Sequence, residues 1–169
     1  EDPSYIAAMV ALSAITATFT TLFMGTVSDR VGRRKPFMSW GYIIWALTVL
    51  AFAFVSPSAM KSVKIAAISV VVLDSLMTFF GSTANDAVFN AYITENVDEK
   101  RRTKVESVVQ IMPMAAMLFV FGIMDGFTQK GEWNTFFVIT SLIMLMAGIL
   151  SFFFIKEEKR EKKRDESFL

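Results

Sequence analysis

The sequence predicts an all-α, polytopic membrane protein, and three observations carry that prediction. Of its 169 residues, 54% are hydrophobic and 14% aromatic, with a mean hydropathy of +0.49, well above a soluble domain. Five stretches are long and apolar, at residues 5–27, 37–57, 63–84, 105–124 and 134–155. Each comes close to the ~20 residues that a helix needs to cross a bilayer. The basic residues also segregate. Fourteen of the 17 lie in three runs, Arg30 to Lys35, Lys100 to Lys104 and Lys156 to Arg164, whereas the intervening loops hold only Lys61, Lys64 and Lys130. The positive-inside rule places the three runs in the cytoplasm. The N-terminus is then outside, the tail inside, and the number of spans odd, as five is.

The elements follow in order. Segment 5–27 begins after Glu1 and Asp2 with no basic start, so it reads as a membrane helix rather than a signal peptide. It contains no acid. Ser13, Thr16 and Thr20 share a face with small alanines, a composition suited to close helix packing. Segment 37–57 carries Trp40 and Trp45 within its length, whereas Trp133 marks an outer edge, where interfacial aromatics sit. Segment 63–84 holds Asp74 about 16 Å along from Val63, near the midplane. A carboxylate at that depth costs at least about 2.5 kcal/mol. It must therefore face a coupling ion or proton, a solute, or a hydrogen-bond partner on a neighbouring helix. Asp74, Thr78, Gly81, Ser82 and Asn85 fall on one stripe at about 100° per residue. Segment 105–124 places Glu106, Gln110, Pro113 and Met117 on one face. Gln110 is its candidate solute contact or interhelical bond, and Glu106 can pair with Arg102. Segment 134–155 is apolar all round, which a soluble bundle helix would not be, and reads as a lipid-facing or packing helix.

With no Cys and no His, the chain has no disulfides and no usual zinc ligands, and no nucleophile–base pair stands out. These features argue against an enzyme, a cofactor or a metal, and nothing points to nucleic acid. H+ and Na+ are the candidate coupling ions.

Between the first two segments runs Gly25-Thr26-Val27-Ser28-Asp29-Arg30-Val31-Gly32-Arg33-Arg34-Lys35-Pro36. It resembles the loop between the second and third helices of major facilitator superfamily transporters, Gly-x-Leu-Ser/Ala-Asp-Arg-x-Gly-Arg-Arg/Lys, with Val27 in place of Leu. The resemblance implies that the chain is a fragment holding family helices two to six of a six-helix half. The partners are then the missing first helix and second half, a small-molecule solute and the lipid bilayer. Residues 1–155 become a five-span region, and 156–169 a charged cytoplasmic linker or tail whose other reading is contact with anionic lipid. Gly25, Asp29, Arg30, Gly32, Arg33 and Arg34 become a gate loop. Asp29 is expected to meet a helix N-terminus in the missing half, and Arg33 an acid nearby. Gly25 is expected to allow close backbone approach, and Gly32 a tight reversal through positive φ. A plain basic turn is the alternative.

Farther along, Gly81 to Glu95 and then Asp98-Glu99-Lys100-Arg101-Arg102 look like the fourth helix and following loop of the glycoside–pentoside–hexuronide cation symporters. That resemblance makes Asp86 a sugar-binding acid, with Asn85 and Asn90 as nearby hydroxyl binders. The other reading is a polar helix end or gate salt bridge. Carboxylates and amides both suit adjacent hydroxyls. The leading expectation is a secondary active transporter of the cell membrane, moving a sugar or glycoside with a cation by alternating access. The alternatives are a multidrug or metabolite exporter of the same fold, and a membrane scaffold or accessory subunit. The absence of the Gly-x-x-x-Gly-Pro pattern of drug antiporters favours uptake.

Overall fold

A computed structural model describes residues 3–55 and 62–156, and among them it contains helices and no strand. Five helical runs follow one another: α1 (Pro3–Val31), α2 (Lys35–Phe52), α3 (Val63–Asn96), α4 (Glu99–Gln129) and α5 (Trp133–Phe154). Four of them, all but α2, are long and apolar enough to cross a membrane. α2 has 18 residues, opens on Lys35 and Pro36, and carries Ser39, Gly41 and Tyr42, so its apolar run is the shortest. The remainder of the expected second segment, 56–57, and of the tail, 157–169, lies outside the described residues, as does Lys61.

The helix ends have local causes. α1 stops at Gly32, whose φ of +68° few other residues tolerate. Its N–H reaches back to the Ser28 carbonyl at 3.0 Å, closing the last turn. Pro36 then sits in the first turn of α2, where a missing N–H costs nothing. α4 ends in the same way at Gly131, φ +75°. There the Glu132 N–H meets the Phe127 carbonyl at 2.8 Å, and the Gly131 N–H meets that of Thr128 at 3.0 Å.

Two departures from simple α-helix were not expected. Ser82–Phe89 of α3 and Val120–Met124 of α4 are π-helical, with wider turns. The first lies within α3, which continues well past residue 84, to Asn96.

α1 packs on α3, α3 on α2, and α2 on α5. Small residues make the last two contacts possible. Gly41 lies against Ala84, where an added Cβ would come within 2.8 Å of the alanine methyl. Ser141, Gly148 and Ser151 of α5 face α2. Ser141 Oγ donates to the Ala46 carbonyl at 2.8 Å, the Ser39 and Ser151 hydroxyls bond each other, and Gly148 abuts Ile43. α5 is thus a packing helix along this face, with lipid-type exposure on the other at Phe153 and Phe154. Such small-residue seams bring backbones close where a hydrophobic driving force is weak. A buried cluster of Met38, Ala87 and Val88 joins α2 and α3 near the Gly32 turn, flanked by Met24 and Ile155. By contrast, Glu99–Phe119 of α4 buries no residue.

Candidate functional site

The gate-loop residues gather at the turn where α1 ends and α2 begins. Arg34 is buried, its side chain only 8% exposed. Its guanidinium donates to Ser28 Oγ, to Asp29 Oδ1 and to both oxygens of Glu95, with Nη2–Oε1 at 2.7 Å and Nε–Oε2 at 3.4 Å. A planar fork can do this where an ammonium could not. Burial works against the charge, and the bonds and charges of Glu95 and Asp29 outweigh it, so the Arg34 pKa is raised above the ordinary value. One cation thereby ties the end of α1, the start of α2 and the last turns of α3 together.

One gate-loop expectation needs correction. The acid partner belongs to Arg34 rather than Arg33. Arg33 and Arg30 are exposed, with no ion pair among the described residues. The helical register explains this, because the residue immediately preceding α2 turns towards the bundle and its neighbour turns away. Gly25 makes no close approach among the described residues; a Cβ there would meet nothing within 4 Å. Asp29 pairs with Arg34 in its own turn, yet its side chain remains 58% exposed and retains capacity for a second partner. Gly32 adopts the expected positive φ.

The polar stripe of α3 divides. Asp74 accepts a hydrogen bond from Ser13 of α1, so the neighbouring-helix partner exists. Lower down, the π-helical segment rotates the stripe and turns Asn85 to α2, where Tyr42 Oη donates to Asn85 Oδ1 at 3.1 Å. Asn85 Nδ2 in turn donates to Asp86 Oδ1 at 3.2 Å, and both residues are exposed. Asn90 is exposed as well, its amide spent on the Asp86 carbonyl at 3.1 Å. Tyr42 stacks on Trp45 at 5.8 Å, and Trp45 Nε1 is buried without an acceptor among the described residues. An open amide–carboxylate pair beside stacked aromatic rings can bind hydroxyls and a sugar-like face. Gln110 stands apart, exposed on α4. Glu106 lies near Arg102, Oε1 to Nε 3.9 Å.

Sequence reasoning missed Glu95 as the partner of Arg34, along with Tyr42 and Trp45. Glu95 closes the Gly81 to Glu95 stretch whose resemblance points to Asp86, but its contact is 61 residues away in sequence. Ser13 was visible only as part of a hydroxyl face. Nothing in the sequence pairs Tyr42 with Asn85, because a π-helix has no clear signature in residue pattern.

The model of the Major Facilitator Superfamily matches residues 2–168. The Bicyclomycin resistance protein homolog of Haemophilus influenzae is 29% identical over 147 residues, covering 86% of this chain and 34% of that protein. Monosaccharide-sensing protein 3 of Arabidopsis thaliana is 24% identical over 162 residues, covering 95% of this chain and 21% of that protein. The chain thus spans about a third or less of the length of these relatives. No solved structure gives a significant match.

Proposed function

The chain belongs to the major facilitator superfamily, and on that premise we propose that it is the latch-bearing part of a secondary active transporter. Alternating access moves helix bundles as bodies about a central site. For that, the loop ends of α1, α2 and α3 must move together, and the Arg34–Asp29–Glu95 cluster is the observation that carries this reading. The exposed part of Asp29 is left for a partner in the second half of the full-length transporter, and the first family helix completes the bundle. The basic loop and tail are cytoplasmic on the charge rule, in a cell membrane.

For the solute, we favour a sugar or glycoside taken up with a cation. Tyr42, Asn85, Asp86 and Asn90 supply hydroxyl-binding groups in one place, with Gln110 a further contact once α4 is covered. Asp74 with Ser13 is the candidate site for H+ or Na+. The relative named for monosaccharide sensing supports this choice. The relative named for bicyclomycin resistance favours a second reading, export of amphipathic compounds, in which the same aromatic pair would receive a flat apolar solute.

The test is uptake by the intact transporter in vesicles, using a radiolabelled sugar panel with and without Na+ and H+ gradients, alongside Asp86→Asn and Asp74→Asn. Gradient-driven accumulation that Asp86→Asn abolishes while the protein stays folded is the expected result. No sugar signal under any gradient would end the symport reading and leave export, to be tried with apolar compounds.

A further inference from the structure

A shallow groove of about 260 Å³ runs between α1, α2 and α3. Met24 of α1, Phe37, Trp40 and Ile44 of α2, and Phe79 and Phe80 of α3 line it. Its lining surface is wholly apolar. Thr83, also at its wall, gives its hydroxyl to the Phe79 carbonyl at 2.7 Å. A polar solute would therefore lose its water there without replacement. The volume is also below the ~300–1,000 Å³ typical of pockets that enclose small molecules, and the groove is open along one side. It accepts a length of flexible chain rather than enclosing a solute. From Pro36 to Ile44 it follows α2 for about 12 Å, starting directly beneath the basic turn.

That turn offers charge at the right end. Arg34 is committed to Asp29 and Glu95. Arg30 and Arg33 are exposed and have no ion pair among the described residues. Asp29, next to Arg30 in sequence, is already engaged by Arg34. Guanidinium forks suit phosphate oxygens.

We propose that this groove seats one acyl chain of an anionic phospholipid whose phosphate is held by Arg30 and Arg33. The lipid then bridges the three helices that Arg34 ties, from the outside of the same turn. This rests on the membrane setting alone and not on which solute is carried.

Trp40, 58% exposed, is a reporter inside the groove. The intact protein would be reconstituted in vesicles containing acyl-brominated anionic lipid, or acyl-brominated zwitterionic lipid, at equal mole fraction. The difference in fluorescence quenching between wild type and Trp40→Phe isolates Trp40. The expected result is quenching by the anionic lipid at an effective enrichment of about fivefold. That enrichment should be lost in the Arg30→Gln/Arg33→Gln double variant, kept in the Lys/Lys variant, and weakened by salt. Equal quenching by both lipids, or a preference that survives the Gln variant, would overturn the headgroup contact. No quenching of Trp40 by either lipid would overturn the groove.

Discussion

The turn around Arg34 and the patch around Asn85 are both polar clusters built on α2 and α3, and they are opposites. In the first, a buried cation meets two acids and a hydroxyl, so its donors are matched. In the second, the amide and carboxylate are exposed, and a neighbouring indole N–H has no acceptor among the described residues. A matched buried cluster is a fastening, because removing one member strands the rest. An open, under-used cluster beside aromatic rings has capacity to spare for a ligand. The contrast therefore separates residues whose loss should unfold the bundle end from residues whose loss should silence transport.

Arg34→Met should give the largest effect. Glu95 and Asp29 would lose the Arg34 guanidinium, and the expected destabilisation is about 3 kcal/mol, read as a drop in the thermal unfolding temperature of the intact protein in detergent. Arg33→Gln serves as its control, with an expected change within about 0.5 kcal/mol. Equal effects from the two would erase the distinction between the paired arginine and its exposed neighbour. The sign of the pH dependence follows from the raised Arg34 pKa. The stabilisation from that cation is complete below the ordinary arginine pKa and lost only as pH rises beyond the still higher folded value. Across neutral pH, unfolding scans should thus show no contribution from its titration.

Gly41→Ala comes next. The new methyl would sit 2.8 Å from that of Ala84, and forcing α2 from α3 should cost about 1–3 kcal/mol. It would also disturb the Tyr42–Asn85 bond, so stability and uptake should fall together. Tyr42→Phe sharpens the comparison. Losing one neutral hydrogen bond at an exposed site should cost at most about 1 kcal/mol, while uptake should fall at least about tenfold if a solute hydroxyl uses that patch. A variant that transports normally would remove Tyr42 from the solute path. The smallest effect is expected at Gly25→Ala. With nothing within 4 Å, the helix should be unchanged or stabilised by up to about 1 kcal/mol. If stability rises but transport is lost, the glycine serves a surface contributed by the rest of the transporter.

The same contrast explains what could be read from the sequence. Helix positions, the Gly32 turn and the crowding of polar residues on α3 were legible, because length, hydropathy and glycine chemistry are local properties. The gate loop was legible as a motif, but which arginine turns inward depends on the phase at which α2 begins. Glu95 was hidden because its partner lies 61 residues back. The division of the α3 stripe was hidden for another reason. Counting at about 100° per residue assumes one helix type throughout, and Ser82–Phe89 departs from it. α4 shows the limit from the other side. Its Gln110 lies on a helix whose residues 111–119 are all exposed, so its facing partner is not among the described residues.

The wide turn in α3 also makes the two clusters interdependent in a way that concerns the length of the chain rather than its chemistry. A π-helical turn takes more residues than an α-helical one, so the azimuth of everything after Phe89 depends on how many residues occupy that segment. Deleting a single residue from the plain α-helical stretch between Phe89 and Glu95, where no wide turn can absorb the change, would swing every side chain beyond it by about 100°. Glu95 would then point away from Arg34 although no residue of the fastening had changed. That deletion should consequently resemble the loss of the arginine, whereas a deletion between Ser82 and Phe89 that lets the wide turn relax to α geometry should largely keep the pairing, the tighter turn offsetting the lost residue.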